Sequence, residues 1–378
     1  DDPERQRLFD ADAAAVFVPP DHVLFVRADK LYSQRFNPVQ RRLEGDAAAI
    51  AQGVSVDAFG AAAISASATG AIAFRLGAAS RQRQFAWFDR SGAQVDVVAP
   101  ADAGNPLNPA LSPDGRVVAL NRSTEGNVDI WLLDLARRVL SRFTSDPRPE
   151  IYPVWSPDGT RIVYAKPNRA GSGFNLYQRN IAGGGDDVPL LESSDNMIPE
   201  DWSPDGRFLS YITSATGRWN VSVLPLEDTA KPILITNTPS NEMGSQFSPD
   251  GRWIAVESDQ SGRNEIYVQP FPGPGPRTIV STGGGLQPRW RKDSQELFYV
   301  APDGKLMAVA MRVARDGKAL EPSSPVPLFV TRISSTRTGG SRHEYVVADD
   351  GQKFLMNTFV EQNAAPITLV LNALTPKD

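Results

Sequence analysis

The chain has 378 residues, of which 41% are hydrophobic and 22% are charged, a composition typical of a folded globular protein and not of a disordered chain. Its formal net charge of −5 argues against a general nucleic-acid-binding protein, which needs a basic face to displace counterions from phosphate. The absence of cysteine excludes disulfide bonds and thiolate metal sites.

The first residues contain neither an initiator methionine nor an apolar segment, and no later run approaches the roughly 18 apolar residues of a membrane span. We therefore interpret the chain as an excised domain or a mature form, joined to a membrane only through a segment outside this sequence. This interpretation leaves the compartment open.

A repeated tetrapeptide organises the sequence. Ser-Pro-Asp-Gly begins at Ser112, Ser156, Ser203 and Ser248, and successive copies start 44, 47 and 45 residues apart. Proline presets φ at the first turn position, aspartate bonds to backbone N–H groups two residues on, and glycine accepts positive φ. The tetrapeptide therefore predicts a tight turn, and copies spread around a repeat structure do not form one acidic catalytic site.

In chain order, weaker copies of the turn occur at residues 19–22 and 67–70 before the four clear copies, and at 290–294 and 348–351 after them. Each repeat reads as four short runs of β-branched and aromatic residues, separated by Gly, Pro, Asn and Asp. Repeats of this length with four strands each are typical of β-propeller blades. The eight turns thus predict eight blades.

The predicted fold class is all-β: a single domain, 1–378, forming a β-propeller of four-stranded antiparallel blades, with seven blades as the alternative to eight. A segment around Leu8 to Val16 is expected to complete the last blade, because a ring has to close its edge strands. Residues 312–338 are expected to form a long outer connection. The approximate blade bounds are 11–57, 58–104, 105–148, 149–196, 197–241, 242–285, 286–340 and 341–378.

Residues 155–164 and 246–255 resemble the repeat of TolB-type, WD-repeat-like propellers. More narrowly, several segments resemble the C-terminal propeller of bacterial serine/threonine protein kinases: 129–135, 265–273, 281–290, 296–299 and 366–372. This resemblance implies a sensory or partner-binding domain on the periplasmic or extracellular side of the cytoplasmic membrane. The chain itself lacks kinase loop motifs and the G-x-S-x-G elbow of serine hydrolases, so we predict a non-catalytic protein.

If the function is binding, the repeats point to the face opposite the turns, where they differ from one another. Asp201, Gln246 and Arg289 each stand two positions before the turn in successive repeats. They are predicted to line the channel and to hold a small polar ligand or a peptide terminus; the alternative is a water-filled channel without a ligand. The full predicted site comprises Glu150, Tyr152, Glu200, Asp201, Asn241, Glu242, Gln246, Gln287 and Arg289.

The only two histidines, His22 and His343, fall in the first and last repeats and are interpreted as a turn residue and a strand-entry residue. We predict no metal, no cofactor and a monomeric domain, with an unidentified protein or small polar molecule as partner. Two other functions stay open: a free periplasmic TolB-like interaction scaffold, and a propeller enzyme of the lyase or lactonase type.

Overall fold

The structure is a computed structural model of the chain, and the residues that it describes form strands and no α-helix. Eight antiparallel sheets, the number of blades predicted, confirm the all-β fold class; six contain four strands, one contains five and one contains three. The described residues are 8–54, 62–67, 69–76, 82–168, 171, 173–182, 185–214, 217–227, 231–236, 238–273, 275–333, 343–360 and 367–371.

The chain forms two compact units. The first consists of Asp1–Arg81 together with Glu361–Asp378, and the second is Gln82–Val360. Their membership of one domain, 1–378, stays a prediction. The first unit contains the strands β1 (Val16–Val18), β2 (His22–Arg27), β3 (Lys30–Asn37), β4 (Arg42–Gln52), β5 (Ile64–Ala66), β6 (Ile72–Arg75) and β32 (Ile367–Val370). Sheet β1-β2-β3-β4 packs on sheet β32-β6-β5 through a core that includes buried Leu24 and Ile72.

The second unit contains the remaining strands and has six sheets. Five of them follow the chain in order, β9 to β12, β13 to β16, β17 to β20, β21 to β24 and β25 to β28, with β29 also paired to β27; the sixth has the order β30-β31-β7-β8. The strand bounds are β7 (Arg83–Asp89), β8 (Gln94–Val97), β9 (Leu107–Leu111), β10 (Val117–Thr124), β11 (Asn127–Asp134), β12 (Val139–Arg142), β13 (Ile151–Trp155), β14 (Arg161–Pro167), β15 (Phe174–Asn180), β16 (Val188–Leu191), β17 (Met197–Trp202), β18 (Phe208–Thr213), β19 (Asn220–Pro225), β20 (Ile233–Leu234), β21 (Glu242–Phe247), β22 (Trp253–Ser258), β23 (Glu265–Pro270), β24 (Thr278–Ile279), β25 (Leu286–Trp290), β26 (Glu296–Val300), β27 (Lys305–Val313), β28 (Leu320–Pro322), β29 (Val326–Val330), β30 (Tyr345–Val347) and β31 (Lys353–Phe359).

The six sheets of the second unit form a closed ring. The first strand of each consecutive sheet contacts the first strand of the next, through β9, β13, β17, β21 and β25, and β30 then contacts both β25 and β9. Apolar clusters fill the spaces between neighbouring sheets; one of them joins Trp253 of β22 to Trp290 of β25. This arrangement is a β-propeller with its inner strands around a central axis.

The repeated tetrapeptide is the turn that joins each inner strand to the second strand. In the copy at Ser156, the Ser156 hydroxyl donates to Asp158 Oδ1, and Thr160 N donates to the same oxygen at 3.0 Å. Gly159 has a φ of 70°, which only glycine adopts readily. These hydrogen bonds lower the pKa of Asp158 to about 2, and the one from Ser156 has the largest effect on the pKa. The predicted turn chemistry is confirmed.

The predicted closing segment around Leu8 to Val16 is wrong. The closing partner of β31 is β7, with Leu355 opposite Trp87 in the register, whereas β1 pairs with β2. β7 supplies Phe85 and Phe88 to the apolar clusters on the two sides of the closing sheet. Residues 8–15 are mostly exposed and form no strand, so they offer no comparable apolar surface.

Two predicted blades also exchange strands. Within 58–104 and 341–378, strands β5, β6 and β32 form one sheet, and β7, β8, β30 and β31 form another. Residues 312–338, predicted as an outer connection, contain β28 and β29 in their described part, and both strands pair with the long strand β27. The strands within 58–104 and 341–378 were predicted from the sequence but their pairing partners were not, and the strands β28 and β29 were not predicted.

Candidate functional site

A cavity of about 280 Å³ lies on the central axis of the ring, and all six sheets of the ring contribute to its wall. Its polar lining includes Tyr152, Glu200, Asp201, Gln246 and Arg289, five of the nine predicted site residues. Two turn prolines also line it, one following Ser112 and one following Ser156. The turn face, which the sequence interpretation set aside, therefore contributes to the cavity.

The inner strands present one equivalent side chain each to this cavity. The position lies two residues before the turn serine or its equivalent, so the repeat fixes its place in the ring. At this position three successive strands supply polar side chains and the other three supply apolar ones. This ring of positions thus has a polar and an apolar half, although Asn108, Tyr152 and His343 also line the cavity on the apolar side. The six residues in ring order are Ala110, Val154, Asp201, Gln246, Arg289 and Val346.

Each of the three polar residues is fixed by a hydrogen bond to the backbone of the next inner strand. Phe247 N donates to Asp201 Oδ2 at 2.7 Å, and Trp290 N donates to Gln246 Oε1 at 3.2 Å. Arg289 Nε donates to the Tyr345 carbonyl at 3.3 Å. The side chains are thus positioned by the ring itself, while each keeps part of its surface exposed to the cavity.

The electrostatics of the polar half are set by burial. Burial raises the pKa of Asp201 to about 7, and the hydrogen bond from Phe247 and the charge of Arg289 offset only part of this effect. Burial likewise lowers the pKa of Arg289. In the part of the chain that the structure describes, Arg289 has no carboxylate within ion-pair distance; the Tyr345 hydroxyl, Asp201, Glu200 and Glu257 act on it only through longer-range attraction.

Two buried glutamates accept hydrogen bonds from the backbone of the inner strands that form the polar half. Glu200 accepts hydrogen bonds from Gly244 N at 2.7 Å and from the Ser245 amide and hydroxyl, both at 2.6 Å. Glu257 Oε1 accepts one from Gln287 N at 2.8 Å. Gly244 and Gln287 lie in β-bulges, where the extra residue re-aims the side chains that follow. Sequence reasoning missed Glu257, although an acidic residue in the apolar run of β22 is a usable signal.

Three predicted site residues have structural partners away from the cavity. Asn241 Nδ2 donates to Asp259 Oδ2 at 2.9 Å, and Glu242 Oε1 accepts a hydrogen bond from Arg277 at 2.6 Å. Gln287 is buried and accepts a hydrogen bond from the Glu344 amide at 2.8 Å. They therefore hold loops and strands of the ring together.

Glu150, also a predicted site residue, belongs to a buried charged cluster. Lys166 Nζ lies 3.6 Å from Glu150 Oε1 and 2.5 Å from carboxylate oxygens of both Asp146 and Asp187. Burial raises the pKa of Glu150 to about 7. Burial alone would also raise the pKa of Asp187, but hydrogen bonds from Lys166 and Tyr164 keep it below its ordinary value. Arg179 also pairs with Asp187, so Lys166 and Arg179 together offset the charges of Asp146 and Asp187.

The two histidines have different surroundings. His22 begins β2 in the first unit and its Nδ1 lies 2.9 Å from Asp21 Oδ1. His343 directly precedes β30 and lines the ring cavity. Within the described ranges, no group of three or more His, Asp or Glu side chains is arranged to hold a metal ion. Nor do these ranges contain a helix with the length and apolarity that crossing a membrane needs.

Comparison with known proteins decides the family. Residues 90–234 and 190–324 match the TolB beta propeller domain, so the matched region exceeds half of the chain. The chain belongs to the TolB β-propeller family. This TolB-family propeller is similar to the structure of a protein assigned to TolB in Agrobacterium tumefaciens, with 19% identity and a TM-score of 0.56, over 74% of this chain and 99% of that one.

Two further similarities are more distant or more local. TolB from Acinetobacter baumannii shares 14% identity with the propeller, with a TM-score of 0.48 over 82% of this chain and 81% of that one. The uncharacterized protein Atu1656 of Agrobacterium fabrum is 30% identical over 117 residues, which are 30% of this chain and 39% of that protein. The chain thus spans less than half of the length of this relative, and the structural similarities show the fold alone.

Proposed function

We propose that this TolB-family propeller is a non-catalytic binding module, and that the ring cavity holds a small polar ligand or the terminus of a partner peptide. The supporting observation is the environment of the Arg289 side chain. Its guanidinium lies deep in the ring with one backbone hydrogen bond, and no described carboxylate is close enough to form an ion pair with it. Because a buried charge is costly unless it is paired, an acidic group of a ligand would stabilise this side chain.

The test is to identify the molecules that stay bound to the protein through purification. The propeller and an Arg289→Gln variant are purified from the source cells, and the bound small molecules and peptides are identified by mass spectrometry after denaturation. We expect a molecule that the parent retains and the variant loses. Arg315→Gln is the matched control, because Arg315 is exposed on the hairpin between β27 and β28. A parent protein without a bound molecule, or the same molecules in all three proteins, would contradict the proposal.

We infer further that the module is the extracytoplasmic domain of a bacterial transmembrane serine/threonine kinase. The support is the resemblance of segments such as 129–135 and 265–273 to kinase-linked propellers. A free periplasmic scaffold is the second candidate, and the match to the TolB propeller family favours it about equally. The parent reading frame separates the two: kinase motifs followed by an apolar span support the first, and a signal peptide directly before the propeller supports the second.

A further inference from the structure

The charges around the cavity are unbalanced in a specific way. Three carboxyl groups, those of Glu200, Asp201 and Glu257, act on the single guanidinium of Arg289. The carboxylates of Glu200 and Glu257 are already engaged by backbone amides of the next inner strands. Asp201 and Arg289 are the two charged side chains in the ring of six cavity positions, and they do not form an ion pair with each other.

This arrangement discriminates between ligand charges. A ligand with a negative group alone would pair with Arg289 but would add to the excess of carboxyl groups. A ligand with a positive group alone would pair with Asp201 and would leave Arg289 without a close counter-charge. A ligand that carries both charges gives each buried group a partner and adds no net charge, which is the least costly way to fill a site of low dielectric constant.

The shape of the wall adds a second requirement. Gln246 lies between Asp201 and Arg289 in the ring, and its Oε1 is taken up by the Trp290 amide. At the equivalent positions the opposite half of the ring has Ala110, Val154 and Val346, while Asn108, Tyr152 and His343 line the cavity elsewhere on that side. A ligand held between Asp201 and Arg289 therefore faces apolar side chains across the ring at the same level.

We propose that the cavity binds a free α-amino acid with an apolar side chain, with its carboxylate on Arg289 and its ammonium group on Asp201. A planar guanidinium matches a carboxylate through paired N–H groups. The cavity volume of about 280 Å³ far exceeds the roughly 10–15 Å³ that a single water needs, so the cavity admits a molecule of several non-hydrogen atoms, such as free leucine. This inference rests on the proposed function and narrows it, since a peptide terminus offers only one of the two charges.

Three compounds test the requirement for both charges. L-leucine carries both groups, 4-methylpentanoate is leucine without the ammonium group, and 3-methylbutylamine is leucine without the carboxylate. Binding is measured by isothermal titration calorimetry at pH 8, and fluorescence of the tryptophans that line the cavity, Trp155, Trp202 and Trp290, provides a second readout. We expect L-leucine to bind at least about tenfold more tightly than either analogue, since each lost buried ion pair removes at least that factor.

Two variants assign the charges. Arg289→Gln should weaken the binding of L-leucine at least about tenfold and leave the binding of 3-methylbutylamine unchanged. Asp201→Asn should weaken the binding of L-leucine by a similar factor and should not weaken the binding of 4-methylpentanoate. Asparagine can still accept the hydrogen bond from Phe247 N, so the ring stays intact. Arg315→Gln and Asp46→Asn, both at exposed positions, are the controls and should bind as the parent does.

The outcomes separate this inference from the broader proposal. Binding of 4-methylpentanoate as tight as that of L-leucine, abolished by Arg289→Gln, would overturn the amino-acid inference and leave the cavity as a binding site for acids. Equal weakening by the exposed controls would overturn it as well. Absence of binding by all three compounds would also overturn it, and the retained-molecule experiment would then decide whether the cavity binds anything else.

Discussion

Replacement of Asp201 by asparagine should make the ring more stable at alkaline pH. Burial raises the pKa of Asp201 from its ordinary value of 3.8 to about 7 in the folded protein. Between these values the folded state holds a proton that the unfolded state has released, so the free energy of unfolding falls as pH rises from 4 to 7. A pKa difference of about 3 corresponds to about 4 kcal/mol, lost in full above pH 7. The asparagine variant has no such loss.

We therefore expect Asp201→Asn to raise the free energy of unfolding by about 2 to 4 kcal/mol at pH 8, and to leave it nearly unchanged at pH 4. The lower bound allows for contact of the carboxyl group with the cavity. The assay is urea unfolding at each pH unit from 4 to 8, followed by tryptophan fluorescence. Glu150 titrates in the same range, but it does so in both proteins and cancels in the difference.

Asp46→Asn, at an exposed position of β4, is the control and should show no pH-dependent difference from the parent. The reasoning is refuted if the difference between Asp201→Asn and the parent is constant from pH 4 to pH 8. It is equally refuted if the parent is the more stable protein at pH 8. Either result would mean that the carboxyl group is ionised at little cost inside the ring.

Three other substitutions test the packing of the ring by urea unfolding at pH 7. Glu200→Ala removes the acceptor of three hydrogen bonds from β21 and should cost about 3 kcal/mol. Arg83→Met leaves a fully buried carboxylate of the closing sheet without its ion-pair partner, at a cost of about 3 to 5 kcal/mol. Gly285→Ala places a Cβ 2.9 Å from two neighbouring side chains and should cost about 1 to 3 kcal/mol.

The controls for these substitutions are similar residues without buried neighbours. Glu227→Ala changes an exposed acid and should alter the free energy of unfolding by less than about 0.5 kcal/mol. A Cβ added at Gly273 meets no atom within 4 Å, so Gly273→Ala should be tolerated far better than Gly285→Ala. Glu200→Ala or Gly285→Ala behaving as its control would show that the corresponding contact does not stabilise the ring. The expectation for Arg83→Met is contradicted by a loss below about 1 kcal/mol, because removing one member of a buried ion pair is costlier than that.

The features that sequence alone predicted are those with local causes. The turn around Asp158 is specified by four adjacent residues, so its copies give the number of sheets and the register of each inner strand. The same register placed Asp201, Gln246 and Arg289 at one ring position, where the structure has them line the cavity. Local chemistry sufficed for both.

Features that depend on distant partners were not predictable in this way. Alternation in β7 shows which side chains are buried but not which strand lies beside it, and its partner β31 comes at the far end of the unit. Glu200 and Glu242 look alike in sequence, yet one lines the cavity and the other pairs with Arg277. A glutamate in an inner strand carries no signal for whether its partner is a ligand, a backbone amide or an arginine.

The closing sheet also determines when the ring can exist at all. Arg83 and Glu344, which form its buried ion pair, are 261 residues apart in the chain. During synthesis β7 and β8 are present early, but as a two-stranded hairpin, which is marginally stable in water, until β30 and β31 arrive. The first and the last of the five complete sheets must therefore wait with an apolar face uncovered, the faces that the closing sheet later packs against. Protection of those faces, by a chaperone or by fast synthesis, is a requirement that the topology of this propeller imposes on the cell that makes it.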